Sequence, residues 1–166
     1  TLFRSYTGQS GELARADVDD AEQFAKTKEA MTTMGFSQDD CEAAFRVVAG
    51  VLHLGDVGFL PANGGEACRV DPETMDALRD AAALLHLEPG ACTEKSYTAP
   101  DRTMCDVLCV RRMTVGVPGS GGETETYIKQ LTTQQALEAR DALAMAVYER
   151  LFGWIVWRVN HSMGAE

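Results

Sequence analysis

Apolar residues recur at three- and four-residue steps through the first half of the chain, and this spacing predicts a series of amphipathic helices. One helix begins after the capping residue Asp19 and ends at Gly35. The next begins after Ser37 and closes at Gly55. A third opens at Asp71, where a capping aspartate, a proline and an acidic residue stand in the order that helix starts favour.

Segments with strand-like composition are short. Residues 57–60 predict a short strand, and residues 61–65, with one proline and two glycines, predict a loop that tolerates insertions. A short fourth helix is expected further along, before the pattern changes. Residues 112–115 and 126–130 then predict the two strands of a hairpin, and the glycine-rich residues 116–122 predict its tip.

The last predicted element is one long helix over about residues 132–162, where Gly153 is the only glycine or proline. A helix of roughly thirty residues spans about 45 Å, whereas a compact domain of this size is about 30 Å across. The helix therefore projects or runs through a larger body, and its broad apolar surface favours the larger body. Its apolar stripe comprises Leu137, Ala144, Val147, Tyr148, Leu151, Ile155 and Val159, widened by Leu143, Trp154 and Trp157.

Composition narrows the classes of partner. The chain has 166 residues, of which 45% are apolar, and this suits one folded domain better than a disordered segment. Its net charge of −10 disfavours nucleic acid and anionic membranes as partners. No apolar run reaches the roughly eighteen residues of a membrane span. Five irregularly spaced cysteines favour a reducing, intracellular setting over a disulfide framework.

Several sequence blocks resemble the motor heads of myosins, and they occur in the family's order over nearly the whole chain. The blocks are VDDAEQF at 18–24, MGFS at 34–37, FRVVAGVLHLG at 45–55, QQALEARDALA at 134–144, VYERLFGW at 147–154 and RVN at 158–160. One such block could arise by chance, but the ordered set indicates a relationship to the family.

The resemblance implies a mostly α-helical segment of a P-loop NTPase-type motor, with a small β-hairpin and one long final helix. Residues 1–166 would form part of the upper actin-gripping subdomain, between the first and second nucleotide switches. No glycine here precedes Lys-Ser or Lys-Thr, as a phosphate loop requires. The segment is therefore expected to hold no cofactor and hydrolyse no ATP alone, whereas the intact motor would use Mg-ATP. The absence of an initiator methionine suggests a truncated chain.

The resemblance also implies an actin-facing hairpin loop at about residues 111–130. Arg112 stands at the position of the family's basic residue in this loop. Glu125 stands sixteen residues before Asp141, the first residue of a short family motif, where the family has an acid or a phosphorylatable residue. An acid already in place implies actin engagement without phosphorylation. The tip at 117–124 is longer and richer in glycine than the usual loop, so the sequence departs from the family there.

Simpler interpretations stand beside these assignments. Arg111 and Arg112 can be ordinary solvated charges, because exposed charges usually contribute little. Cys105 and Cys109 have a spacing that places them on one helix face, but without a further ligand nearby they are expected to be core or surface thiols. No spacing indicates a catalytic triad or a cysteine–histidine pair, which leaves an unrelated enzyme without support.

Two functions remain open at this point. In the first, the chain belongs to an actin-based motor whose partners are the actin filament and the remainder of the motor head, located in the cytoplasm on the actin cytoskeleton. In the second, it is a stand-alone helical module that binds filaments or other proteins without ATPase activity. A motor releases actin when it binds ATP and a passive binder does not, so the two are separable by experiment.

Overall fold

The computed structural model describes residues 4–8, 17–90, 103–116 and 124–164. These residues form a mostly helical body with two small antiparallel sheets. In chain order the elements are α1 (Arg4–Thr7), α2 (Asp20–Thr33), α3 (Gln38–Gly55), β1 (Phe59–Ala62), β2 (Ala67–Val70), α4 (Met75–Leu84), α5 (Met104–Cys109), β3 (Val110–Gly116), β4 (Thr124–Gln130) and α6 (Thr133–Ser162).

Side-chain caps set the starts of the predicted helices. The Asp19 carboxylate accepts two backbone N–H bonds in the first turn of α2. Ser37 and Asp40 form a reciprocal capping box at the start of α3, and Thr132 and Gln135 form another at the start of α6. Each cap satisfies N–H groups that have no partner inside the helix, so these helices begin at residues that local sequence can identify.

The β1–β2 hairpin corrects the prediction of a single small hairpin. Residues 61–65, predicted to be a loop, are partly strand, because Pro61 lies in β1 and faces Cys68 of β2. A two-stranded sheet has only edge strands, where proline is tolerated. The reversal falls to Gly64 and Gly65, whose φ angles of 68° and 98° suit glycine.

The core lies between α3, α4, α5 and the β1–β2 hairpin. Its fully buried side chains include Leu54 at the end of α3, Val57 just after that helix, Leu78 of α4, and Met104 and Leu108 of α5. Truncating a buried leucine to alanine costs about 2–5 kcal/mol. This packing therefore holds α5 firmly, and α5 is the helix from which the β3–β4 hairpin starts.

The long helix α6 lies along this core with an unusually small buried part. Its buried residues are Ala136, Ala144 and Leu151. Several large apolar side chains of α6 are exposed, namely Met145, Tyr148, Phe152, Val156 and Trp157, as is Met163 directly after the helix. The predicted broad apolar surface is thus present, and much of it has no cover within the described residues.

The cysteines differ from the expectation in one case. Cys41, Cys68 and Cys109 are buried and form no disulfide. Cys105 is also buried, but it is disulfide-bonded. The expectation of free thiols throughout is therefore wrong for Cys105. Its one-turn spacing from Cys109 within α5 reflects a shared apolar face turned toward the core.

Candidate functional site

The β3–β4 hairpin carries the two residues assigned from the sequence, and its base is fixed on both sides. β3 follows α5 without a break, and β4 leads into the cap of α6. The Leu131 N–H donates to the Cys109 carbonyl at 2.9 Å, which closes the base. Of the predicted glycine-rich tip at 116–122, only Gly116 belongs to the described residues, and it ends β3.

Strand register divides the hairpin into two faces, because successive side chains of a strand point to opposite sides. One face, here called the odd face, pairs Arg111 with Lys129, Met113 with Tyr127, and Val115 with Glu125. The other, called the even face, pairs Arg112 with Ile128 and Thr114 with Thr126. The two residues assigned from the sequence, Arg112 and Glu125, therefore lie on opposite faces.

Arg112 is directed toward the helical body. Its side chain is 23% exposed, and its Nη2 lies 4.0 Å from Oδ2 of Asp106 in α5. At this distance the contact is an ion pair without a direct hydrogen bond. Asp106 is only 2% exposed, so the pair is only weakly screened by solvent. The neighbouring Arg111 is exposed.

Asp106 has a second local role, as part of the cap of α5. The Thr103 hydroxyl accepts from the Asp106 N–H at 3.2 Å, and Asp106 Oδ2 accepts from the Thr103 N–H at 3.3 Å. Oδ1 of Asp106 is buried and has no hydrogen-bond partner among the described residues. A buried carboxylate oxygen without a donor is costly, and the Arg112 charge is the nearest ion-pair partner that offsets this.

A cavity of about 290 Å³ lies beside this ion pair at the base of the hairpin. Its lining combines charged groups with apolar side chains: Asp106, Val107, Val110, Arg111, Arg112, Leu131 and Ala139. Residues of α5, the start of β3, the residue after β4 and the first half of α6 all line the cavity, so the base of the hairpin is incompletely packed.

Glu125 lies exposed on the odd face and accepts a hydrogen bond from the Tyr127 hydroxyl. This bond raises the pKa of Tyr127, because ionising the phenol would remove the donor and place two negative charges together. The tyrosine thus stays neutral at physiological pH and holds the carboxylate on its own face.

The sequence interpretation missed the pairing of Arg111 with Lys129. These cations stand directly opposite each other across the two strands, and both are exposed. Like charges at such positions repel, and neither forms an ion pair with another described residue. Sequence could have revealed the pair only if the strand register were known, because the two residues are separated by the glycine-rich tip.

Two arginines attach α6 to the rest of the body. Arg140, whose side chain is 13% exposed, donates at 3.0 Å to each of the carbonyls of Gly55 and Val57. It also pairs with Asp141, which accepts from the Tyr6 hydroxyl at 2.8 Å. Burial and the bond to Asp141 raise the pKa of Tyr6 to about 12. This network joins α1, the end of α3 and the first half of α6.

The second attachment is near the other end of α6. Nη2 of Arg158 lies 2.7 Å from the Asp40 carboxylate and 3.3 Å from the Gly35 carbonyl. The guanidinium also lies over the Phe36 ring, which makes an edge contact with Trp154. Arg158 holds the pKa of Asp40 below its ordinary value. Together the two arginines fix α6 to both ends of α3.

Among the ranges that the structure covers, three or more His, Cys, Asp or Glu side chains nowhere come together in a metal-binding group. The helices in those ranges also lack the length and apolar character needed to cross a bilayer.

Comparison with known proteins identifies the protein family of this chain. The family model of the myosin head (motor domain) matches residues 3–166. The chain therefore belongs to the myosin head family.

Similar proteins are found in Homo sapiens, Dictyostelium discoideum and Arabidopsis thaliana. Unconventional myosin-Va of Homo sapiens is 35% identical over 159 residues, which cover 96% of this chain and 7% of the relative. Myosin ID heavy chain of Dictyostelium discoideum is 34% identical over 160 residues, covering 96% of this chain and 13% of the relative. Myosin-8 of Arabidopsis thaliana is 37% identical over 165 residues, which cover 97% of this chain and 10% of the relative. The chain thus spans about an eighth or less of the length of these relatives.

Proposed function

We propose that this chain is the actin-facing segment of the upper subdomain in an actin-based motor, and that the β3–β4 hairpin is its filament-contact element. The observation that carries the proposal is membership of the myosin head family over residues 3–166. The geometry supports it, because the hairpin extends from α5 and α6 with most of its side chains exposed.

The local charge of the hairpin supports an acidic partner. The whole chain carries a net charge of −10, which by itself would repel an acidic filament such as actin. Arg111, Arg112 and Lys129 nevertheless concentrate positive charge at the base of the hairpin. Charge complementarity over such a patch directs the encounter and fixes the orientation of the partner.

Arg112 and Glu125 are both proposed to contribute to filament binding through this hairpin. Glu125 supplies a fixed negative charge at the position where relatives carry an acid or a phosphorylatable residue. A permanent acid requires no kinase, so filament binding is independent of phosphorylation at that position.

The intact protein is proposed to bind and hydrolyse Mg-ATP at motifs outside this chain. Its ATP-driven cleft movement would carry this segment as one body, because Arg140 and Arg158 fix α6 to both ends of α3. The exposed apolar side chains of α6 would be covered by the remainder of the motor head. The protein would act on the actin cytoskeleton in the cytoplasm.

The test is the Mg-ATPase rate of the full-length product, measured with and without actin filaments. An actin-based motor hydrolyses ATP slowly alone and faster as filaments are added. A rate that filaments leave unchanged would contradict the proposal, and it would favour a passive filament- or protein-binding module.

A further inference from the structure

We propose that the odd face of the hairpin makes the direct contacts with the acidic filament, and that Arg112 is a positioning residue that acts through Asp106. This inference rests on the proposed function for the identity of the partner. It departs from the assignment of the basic contact to Arg112 by resemblance alone.

The first argument concerns the cations Arg111 and Lys129. They face each other on the odd face, both are exposed, and neither has an ion-pair partner among the described residues. Within the isolated hairpin this pairing is unfavourable, because like charges directly opposite destabilise a two-stranded sheet. An acidic surface that docks on this face relieves the repulsion, since each cation then gains an opposite charge.

The second argument concerns the apolar side chains next to these cations. Met113 and Tyr127 form the adjacent cross-strand pair on the odd face, and both are exposed. An aromatic residue and a methionine beside a pair of cations match the composition of protein interfaces. The odd face therefore presents a basic end, an apolar centre and the Glu125 carboxylate nearest the tip.

The third argument separates Arg112 from this surface. Arg112 lies on the even face, half-buried, with its charge 4.0 Å from the buried Asp106 carboxylate. Removing a charge from such a pair leaves the partner uncompensated. The Arg112 charge is therefore paired with the body of the protein, and this pairing ties β3 to α5.

Adjacent arginines on opposite faces provide a matched test in the intact protein. Arg111→Gln and Arg112→Gln remove the same group from neighbouring positions. We expect Arg111→Gln to weaken actin binding about twofold to fivefold, as for exposed ion pairs. It should also reduce the salt dependence of the association rate, because a charge at an interface steers the encounter. Arg112→Gln should leave the salt dependence at its wild-type value.

Two further comparisons separate contact from positioning. Met113→Ser and Ile128→Ser remove apolar side chains that are both 42% exposed but lie on opposite faces, and the first should weaken binding more. Any loss caused by Arg112→Gln should disappear in an Asp106→Asn background, since both act through one pair. A role for Arg112 at the filament would instead leave that loss unchanged.

The outcomes distinguish this inference from the proposed function. If the wild-type protein binds filaments, but Arg112→Gln reduces the salt dependence and Arg111→Gln does not, the assignment of faces is wrong and the proposed function stands. If the wild-type protein does not bind filaments, the proposed function itself is wrong. Binding that weakens with Arg111→Gln and Met113→Ser, with the expected salt effects, supports the inference.

Discussion

Replacing Arg140 by methionine should loosen the attachment of α6 to α3, because the Arg140 side chain donates to the backbone carbonyls of Gly55 and Val57. Each is reached at 3.0 Å, and the Arg140 side chain is only 13% exposed. Methionine keeps much of the apolar stem and removes the donors.

The magnitude follows from these bonds. A hydrogen bond to a charged group contributes about 1.5–3 kcal/mol, so losing two gives about 3 kcal/mol as a minimum. The ion pair with Asp141 adds little, because that carboxylate side chain is 46% exposed and solvent screens it. A loss of about 3 kcal/mol corresponds to an increase of about a hundredfold in local opening.

Hydrogen–deuterium exchange of the intact protein measures this opening directly. The amides at the end of α3 and in the first half of α6 should exchange about a hundredfold faster in Arg140→Met. Arg79→Met is the matched control, because the Arg79 side chain is 64% exposed and its ion pair is with Asp76 one turn away on the same helix. Equal exchange rates in the two variants would refute the attachment assigned to Arg140.

Further predictions concern two glycines and the side chains of Tyr6 and Asp40. Gly55→Ala should destabilise the protein by about 1–3 kcal/mol in thermal unfolding, because an added Cβ would lie 2.5 Å from the Tyr6 ring. Gly153→Ala should instead stabilise α6 by about 0.5–1 kcal/mol, because a Cβ at Gly153 would meet no atom within 4 Å. Because the pKa of Tyr6 is raised, its stabilising effect is complete below about pH 10 and is lost as the pH rises toward 12. Tyr6→Phe should therefore flatten the fall in melting temperature at alkaline pH, and an unchanged fall would contradict this assignment. Because the pKa of Asp40 is lowered, its ion pair with Arg158 stabilises the protein at pH values above the ordinary carboxyl pKa, and this effect is lost as the pH falls through the lowered pKa. Arg158→Gln should therefore remove part of the acid sensitivity of hydrogen–deuterium exchange in the last turns of α6. Unaltered acid sensitivity would count against the pair.

Sequence predicted those parts of the fold that depend on neighbouring residues. The starts of α3 and α6 are fixed by capping boxes that involve only residues three apart, such as Ser37 with Asp40. The strand β2 escaped prediction because it is four residues long and exists through its pairing with β1. Its burial on three of four positions lacks the alternation by which a surface strand is recognised.

Prediction of the candidate site from sequence was limited in the same way, because the site depends on contacts between residues that are distant in the chain. Sequence placed Arg112 and Glu125 on one hairpin, but their faces depend on a register that spans the tip. The burial of Arg112 depends on Asp106, which belongs to a different element. Residue type alone did not distinguish Arg111 from Arg112, and only the resemblance to the family singled out Arg112; the structure places the two on opposite faces. The disulfide at Cys105 was likewise invisible from cysteine spacing.

Co-sedimentation of the full-length protein with actin filaments, with and without Mg-ATP, tests the central claim most directly. The account predicts that the protein pellets with filaments in the absence of nucleotide and is largely released when Mg-ATP is added. Binding that Mg-ATP leaves unchanged, or no binding under either condition, would contradict the assignment of this chain to an actin-based motor.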